Sequence, residues 1–305
     1  MNLIKVLLAV CLAMSAIGGR DIQAGELPAV SGPNGKLSVE GGSFDNEAAG
    51  IAQGSFAMPL SPWLGLQADG AVGSVDDEVL GGGGLHLFTR DPSSYLVGAY
   101  GSFHTWDSID IWRIAGEAEL YLGRVSLEGL AGYESVEVPS TVGGLEVLTP
   151  DDKHFFSEAD IAYYITDDFK VYGGYRYVNE TSLGAAGAEY LIRGSDVPLS
   201  LFARGDFGNE DYASVTGGLK VYLSGDPQKS LIDRHRMDDP QTYMPVFPKL
   251  VTKTATASTE SNLCKVSGPA FVVTSPADGN CICPSNSLTP GVPPGAFGGS
   301  FVCSA

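Results

Sequence analysis

Beyond residue 17, the chain of 305 residues has no apolar run long enough to cross a membrane as a helix, which takes about 20 residues. Basic residues are scarce. Eighteen Lys and Arg stand against 36 Asp and Glu, giving a formal charge of −18. With no basic tract anywhere, the electrostatic footprint of a nucleic-acid binder is missing. Of five cysteines, only Cys11 lies in the first 263 residues. There is no Gly-x-Ser-x-Gly elbow, no EF-hand spacing and no zinc-type pairing of Cys with His, so the sharpest hydrolase, calcium and zinc signatures are absent. No internal repeat occurs beyond a hairpin rhythm.

Glycine and aromatics are what the chain has in plenty: 40 Gly, 13 Tyr and 13 Phe. That is too much glycine for an ordinary core and suits closely packed strands with interfacial aromatics. The start reads as a secretion leader over residues 1–24. Lys5 gives the positive end, Val6 to Ile17 the apolar stretch, and Ile22-Gln23-Ala24 a cleavage site, with an alternative cut near Gly18 or Gly19. Cys11 follows Val10, where a lipoprotein leader needs a small residue, and is read as part of the removed leader.

From Lys36 to Leu223, apolar and polar residues alternate with period two between turn residues. Twelve strands are expected, at 37–44, 50–58, 63–73, 81–89, 94–103, 110–121, 124–135, 154–164, 169–178, 182–192, 198–207 and 213–223. Most reach the ~9–11 residues that a tilted strand needs to cross a bilayer. Short connections such as Arg90-Asp91-Pro92-Ser93 and Leu122-Gly123 alternate strictly with longer or acidic ones such as Val136 to Lys153. Short turns at one end and long loops at the other mark a membrane barrel, and both chain ends on the short-turn side require an even strand number. A soluble sandwich would give the same alternation with the faces exchanged; the leader, the turns and the strand lengths favour the membrane form.

The expected fold is therefore all-β, an antiparallel up-and-down transmembrane β-barrel of about 12 strands with a mostly irregular C-terminal tail. The domains are a signal peptide 1–24, an N-terminal periplasmic segment 25–36, an outer-membrane barrel 37–223, a linker 224–263, and a small Cys-containing tail 264–305. Residues 224–305 carry six acids and six bases, so the whole charge excess sits in the strand region.

This arrangement over 37–223 resembles bacterial outer-membrane β-barrel, porin-like proteins, which implies localisation in the outer membrane of a Gram-negative bacterium. Gly32-Pro33-Asn34-Gly35-Lys36, His86-Leu87-Phe88-Thr89-Arg90-Asp91-Pro92, and Lys229-Ser230-Leu231-Ile232 through Asp238-Asp239-Pro240 resemble an uncharacterised proteobacterial barrel family, a likeness that implies no activity. The chain departs from the general pattern at its last strand, which ends Tyr222-Leu223 and runs on into a tail, where such barrels commonly finish on a terminal aromatic.

One strand face carries the charge. The expected lumen-lining residues are Glu40, Asp69, Arg113, Glu117, Glu119, Glu128, Glu158, Asp160, Lys170, Arg176, Glu189, Arg204, Asp206 and Lys220. They line either a narrow cation-preferring pore or a salt-bridged, filled lumen, and twelve strands lie between the sizes that decide this. A surface-interaction role with a plugged lumen, or a secreted soluble β-protein, are the competing readings. The acidic loops (Asp76, Asp77, Glu78; Glu137, Glu146, Asp151, Asp152) read as solvated rather than metal-binding. Ser102 and His104 are the one nucleophile–base arrangement worth naming, but residues two apart on a strand lie ~7 Å apart, beyond a hydrogen bond; no enzyme, no metal and no cofactor is expected. His86 and His154 read as lumen or rim residues. Cys264, Cys281, Cys283 and Cys303 suit disulfides in an oxidising compartment, with Cys281 and Cys283 each pairing with Cys264 or Cys303. Tyr163-Tyr164, Tyr175 with Tyr177, and Trp63 with Trp106 and Trp112 read as interfacial girdles. Expected partners are outer-membrane lipid, small ions or solutes and a periplasmic partner of the tail, with no nucleic acid.

Overall fold

The computed structural model describes residues 27–243 except 46, 76, 107–108, 138–140, 143–144, 147–151, 179–180, 195–196, 209–211 and 224–225, together with strand pieces at 265–267, 273–274, 281–282 and 302–304. Twelve strands form a closed barrel: β1 (Asn34–Phe44), β2 (Glu47–Ser61), β3 (Leu64–Val75), β4 (Glu78–Asp91), β5 (Tyr95–Trp106), β6 (Ile109–Leu122), β7 (Val125–Glu137), β8 (Asp152–Thr166), β9 (Phe169–Val178), β10 (Thr181–Ile192), β11 (Leu199–Gly208) and β12 (Ala213–Tyr222). Each pairs antiparallel with its sequence neighbours. Closure is made by β1 against β12, in register from Lys36↔Tyr222 to Phe44↔Ser214. Closing the sheet leaves no edge, which the interior of a bilayer requires.

Burial decides which way the alternation faces. Leu85, Val72, Ile114, Ile161 and Leu37 are exposed, whereas Glu117, Arg113, Glu128 and Arg176 of the barrel strands are buried. Charge inside and aliphatic side chains outside is the inverse of a soluble sandwich. The exterior is a lipid-facing surface, and the barrel spans a membrane. Trp63, Tyr163 and Tyr190 are exposed near the short-turn rim, and Trp112, Tyr133, Phe155 and Tyr175 toward the long-loop rim, as interfacial girdles demand. Tyr164 departs from that expectation, since adjacent strand residues point to opposite faces: it is fully buried inside the barrel. Trp106 likewise turns to the mouth, where its Nε1 donates to Val75 O at 3.3 Å.

The short connections are tight. Leu122 pairs with Val125 across a two-residue turn, and Gly123 adopts φ 61°, a conformation that side-chain-bearing residues avoid. The longest loop, between β7 and β8, contains a small hairpin of Thr141–Val142 with Leu145–Glu146.

The reading of residues 224–263 as a plain linker gives way over 231–243. Helix α1 (Leu231–Met237) begins at Ser230, whose Oγ accepts from Asp233 N at 3.2 Å. It is held to the β8–β9 turn, Ile232 N donating to Asp167 O at 3.0 Å and Leu231 N to Asp168 Oδ1 at 3.3 Å. Residues 27–33, ahead of β1, fold over the same rim: Ala29 and Val30 are fully buried and Ala29 N donates to Pro62 O at 2.8 Å. Gly65 makes this possible, because a Cβ there would stand 2.5 Å from Phe88 Cζ and 2.7 Å from Val30 Cγ2. The proposed leader, Cys264 and Cys283, and the side chains of Cys281 and Cys303 lie outside the described residues.

Candidate functional site

The site is the barrel interior, and its two halves are filled differently. Toward the long-loop rim the wall fills itself. Phe44, Ile51, Val75, Leu80, Ile109 and Ile111 form an inward apolar cluster. Beside it runs a chain of buried ion pairs. Arg113 donates from Nε and Nη2 to Glu134 Oε2 at 3.0 and 2.9 Å and from Nη1 to Glu158 Oε1 at 3.4 Å. Arg176 stands 3.3 Å from the other Glu158 oxygen and grips Asp160 with two bonds, at 2.6 and 2.9 Å. Glycine supplies the room, since a Cβ at Gly174 would fall on the Asp160 carboxylate. Arg113 also lies over the Phe156 ring at 4.6 Å. Such two-bonded Arg–carboxylate pairs hold both geometry and charge.

Toward the short-turn rim the filling is the post-barrel segment. Asp238 reaches Lys229 Nζ at 2.5 Å, and its carbonyl accepts from Asn34 Nδ2 and from Arg90 Nη2, both at 3.1 Å. Arg90 also donates to Ala29 O at 2.6 Å and His235 O at 3.3 Å, so one guanidinium ties β4 to both covering segments. Lys36 pairs with Asp239 and donates to Pro240 O at 3.1 Å. The chain then climbs inward. Thr242 meets Ser55 at 2.9 Å, and Tyr243, buried midway along the barrel, accepts from Tyr100 OH at 3.2 Å and stacks on His86 at 5.9 Å.

Helix α1 turns its polar side to the lumen. His235 bonds Tyr164 OH at 2.9 Å and Tyr222 OH at 3.3 Å, with Glu189 3.6 Å away. Its imidazole is held well below the ordinary value, first by burial and then by the positive charge of Lys170, with Lys220 and Lys36 adding to this and Glu189 opposing. Arg236 donates to Val125 O and Ser126 Oγ, both at 3.1 Å, and lies over the Tyr121 ring.

The structure draws most of the expected lining residues into pairs. Glu40 meets Arg204 at 2.5 Å, Glu189 meets Lys220 at 2.7 Å, and Asp206 stands 3.9 Å from Arg176. Asp69 and Glu117 are bridged by His86, each 2.8 Å from one of its ring nitrogens. That histidine is therefore a central lumen residue rather than a rim one. Glu119 accepts from Tyr121 OH at 2.8 Å. Glu128 and Lys170 are buried but have no hydrogen-bond or ion-pair partner among the described residues. Ser102 and His104 both point inward, and Ser102 Oγ and His104 Nδ1 are buried with no hydrogen bond to each other or to another of the described residues, so the two make no catalytic pair with each other.

Sequence reasoning missed Arg90, Lys36 and the α1 residues. One signal was present: Ser230-Leu231-Ile232-Asp233 is a capping-box pattern ahead of an apolar pair. A second lay in the three segments that carry the family resemblance, which meet in space around Arg90, Asn34 and Asp238.

No protein-family model matches the chain, and no curated protein does. Among solved structures the chain is similar to the KdgM porin (9% identity, TM-score 0.44, 63% of this chain and 99% of that one). It is also similar to an outer-membrane channel from Pseudomonas putida F1 (11%, 0.47, 66% and 99%). Outer membrane phospholipase A from Escherichia coli is a third (15%, 0.39, 68% and 95%). At these TM-scores the likeness assigns neither a solute nor an activity. Twelve-strand closure, the lipid-facing exterior and the turn pattern make this a transmembrane β-barrel on their own.

Proposed function

We propose that the chain is an outer-membrane barrel of porin type held shut by its own post-barrel segment, and that small polar solutes pass only when that segment is displaced. The observation that supports this is the docking of residues 229–243 against the inner wall, through Arg90, Lys36, Asn34 and Tyr100. Its attachments run largely from wall side chains to main-chain carbonyls, so they break without leaving the wall's own ion pairs open. Of the fourteen expected lining residues, nine are acids and five are bases; an opened lumen would favour cations. Residues 1–24 act as the export leader in this reading, and the four tail cysteines are oxidised in pairs.

Planar-bilayer recording tests the proposal. Wild-type protein, shown to be folded by heat-modifiable migration, is expected to be silent, and Arg90→Ala protein to give single-channel steps that carry cations better than anions. Steps of equal frequency in both would sink the plugged lumen; silence in both would leave a filled, structural barrel. Thiol labelling of unreduced, unfolded mature protein is expected to find no free cysteine.

A further inference from the structure

Between the tip of the post-barrel segment and the wall lies a cavity of about 120 Å3. At 10–15 Å3 per water-sized position it accommodates about ten such positions, or a solute with roughly as many non-hydrogen atoms. Its charges lie on two sides. Glu119 of β6 and Glu128 of β7 are direct cross-strand partners on one. Lys170 of β9, Arg204 of β11 and Lys220 of β12 are on the other.

Most lining charges are already paired: Lys220 with Glu189, Arg204 with Glu40, and Lys36 with Asp239. What remains is Lys170 and Arg236 on one hand and the adjacent carboxyls of Glu119 and Glu128 on the other. Arg236 and Glu119 each have hydrogen bonds. Lys170 and Glu128 have none among the described residues, although they are only 8% and 9% exposed. The Lys170 ammonium has the Tyr172 ring at 5.6 Å, and its charge and that of Glu128 attract each other across the cavity. A buried ammonium and a buried carboxylate, with no direct hydrogen bond or close ion pair between them among the described residues, both line one cavity. A singly charged ligand would satisfy one and worsen the imbalance at the other. A dipolar ligand satisfies both and leaves the balance unchanged.

We propose that this cavity binds a small zwitterion of amino-acid size, its carboxylate on Lys170 and its ammonium on Glu128. The proposal rests on the plugged-lumen reading, because His235, Arg236 and residues 239–242 form one wall of the cavity.

Calorimetric titration of the full-length, detergent-folded protein tests it, with glycine, β-alanine and γ-aminobutyrate as probes of increasing charge separation. Acetate and methylammonium serve as singly charged controls. At least one zwitterion is expected to bind saturably and neither control to do so. Lys170→Met and the near-isosteric Glu128→Gln are each expected to weaken binding about ten- to hundredfold, the usual cost of one hydrogen bond to a charged group. Should Lys170→Met fail to fold, Glu128→Gln carries the test alone. No saturable zwitterion binding, either to wild type or to Arg90→Ala protein whose cavity is reachable, would overturn the site. So would binding unchanged by the variants, or equal binding of a control. Conductance of the wild type would sink the plug whatever the calorimeter reads, whereas a silent wild type without zwitterion binding sinks the site alone.

Discussion

The two halves of the lumen both hold buried side chains, but these are differently owned. Toward the long loops, strand residues satisfy strand residues: Arg113, Glu134, Glu158, Arg176 and Asp160 come from four adjacent strands, β6 to β9. Toward the short turns, the wall presents Arg90, Lys36 and Tyr100 to a segment that comes after the last strand. The first arrangement cannot be undone without stranding buried charge. In the proposed reading the second leaves as a unit, giving up the Lys36–Asp239 ion pair as it goes. Permanence and release are thus separated along one axis.

The strongest test of that division is Arg113→Ala. It removes both Arg113 bonds to Glu134 and leaves Glu158 to Arg176 alone, and is expected to cost about 3–5 kcal/mol. Heat-modifiable migration should be lost at lower temperature while folded protein stays silent in bilayers; steps from this variant would erase the distinction. Next comes Arg90→Ala, which removes two donors from carbonyls of the segment, at His235 and Asp238, and is expected to weaken its docking by about 2 kcal/mol. Here channel steps should appear with the barrel's melting little changed.

Acidification has a smaller and signed effect. His235 is held neutral in the docked segment and faces Lys170, Lys220, Lys36, Glu189, Tyr164 and Tyr222. Once undocked it titrates near its ordinary value of 6.5. Below that pH the undocked state takes up a proton that the docked state refuses. Docking therefore weakens as pH falls, by up to about 1.4 kcal/mol per unit. Opening should be more frequent at pH 5 than at pH 7.5, and His235→Gln should flatten the difference. The least effect belongs to Ser230→Ala, where loss of the helix cap costs about 1 kcal/mol, read as a several-fold rise in open probability.

How much of this the sequence carried depends on range. Period-two alternation is local, so all twelve strands were legible, as was the even count. Whether Leu85 or Glu117 faced inward was not in the alternation, because both assignments satisfy the same letters; the leader, the turn pattern and the strand lengths are what put Glu117 on the inner face, and in the barrel Glu117 is buried and Leu85 exposed. The charged inward face could be read, but the pairing of Arg113 with Glu134 or of Lys220 with Glu189 depends on cross-strand register. The docked segment was hidden for another reason. Seven helical residues give too few turns for a periodic signal, and their partners lie far away in sequence, as Arg90 and Asp238 do at 148 positions. Tyr164 is a misreading with a plain cause, since a Tyr-Tyr pair in a strand divides between the two faces.

The seam between β1 and β12 has a consequence for assembly. Lys36 and Tyr222 are partners across it, and both also hold the post-barrel segment, Lys36 through Asp239 and Pro240 and Tyr222 through His235. Those two footholds stand side by side only after the first and last strands have met. The post-barrel segment is thus a rivet that can be driven only into a finished cylinder, and its seating reports that the cylinder has closed.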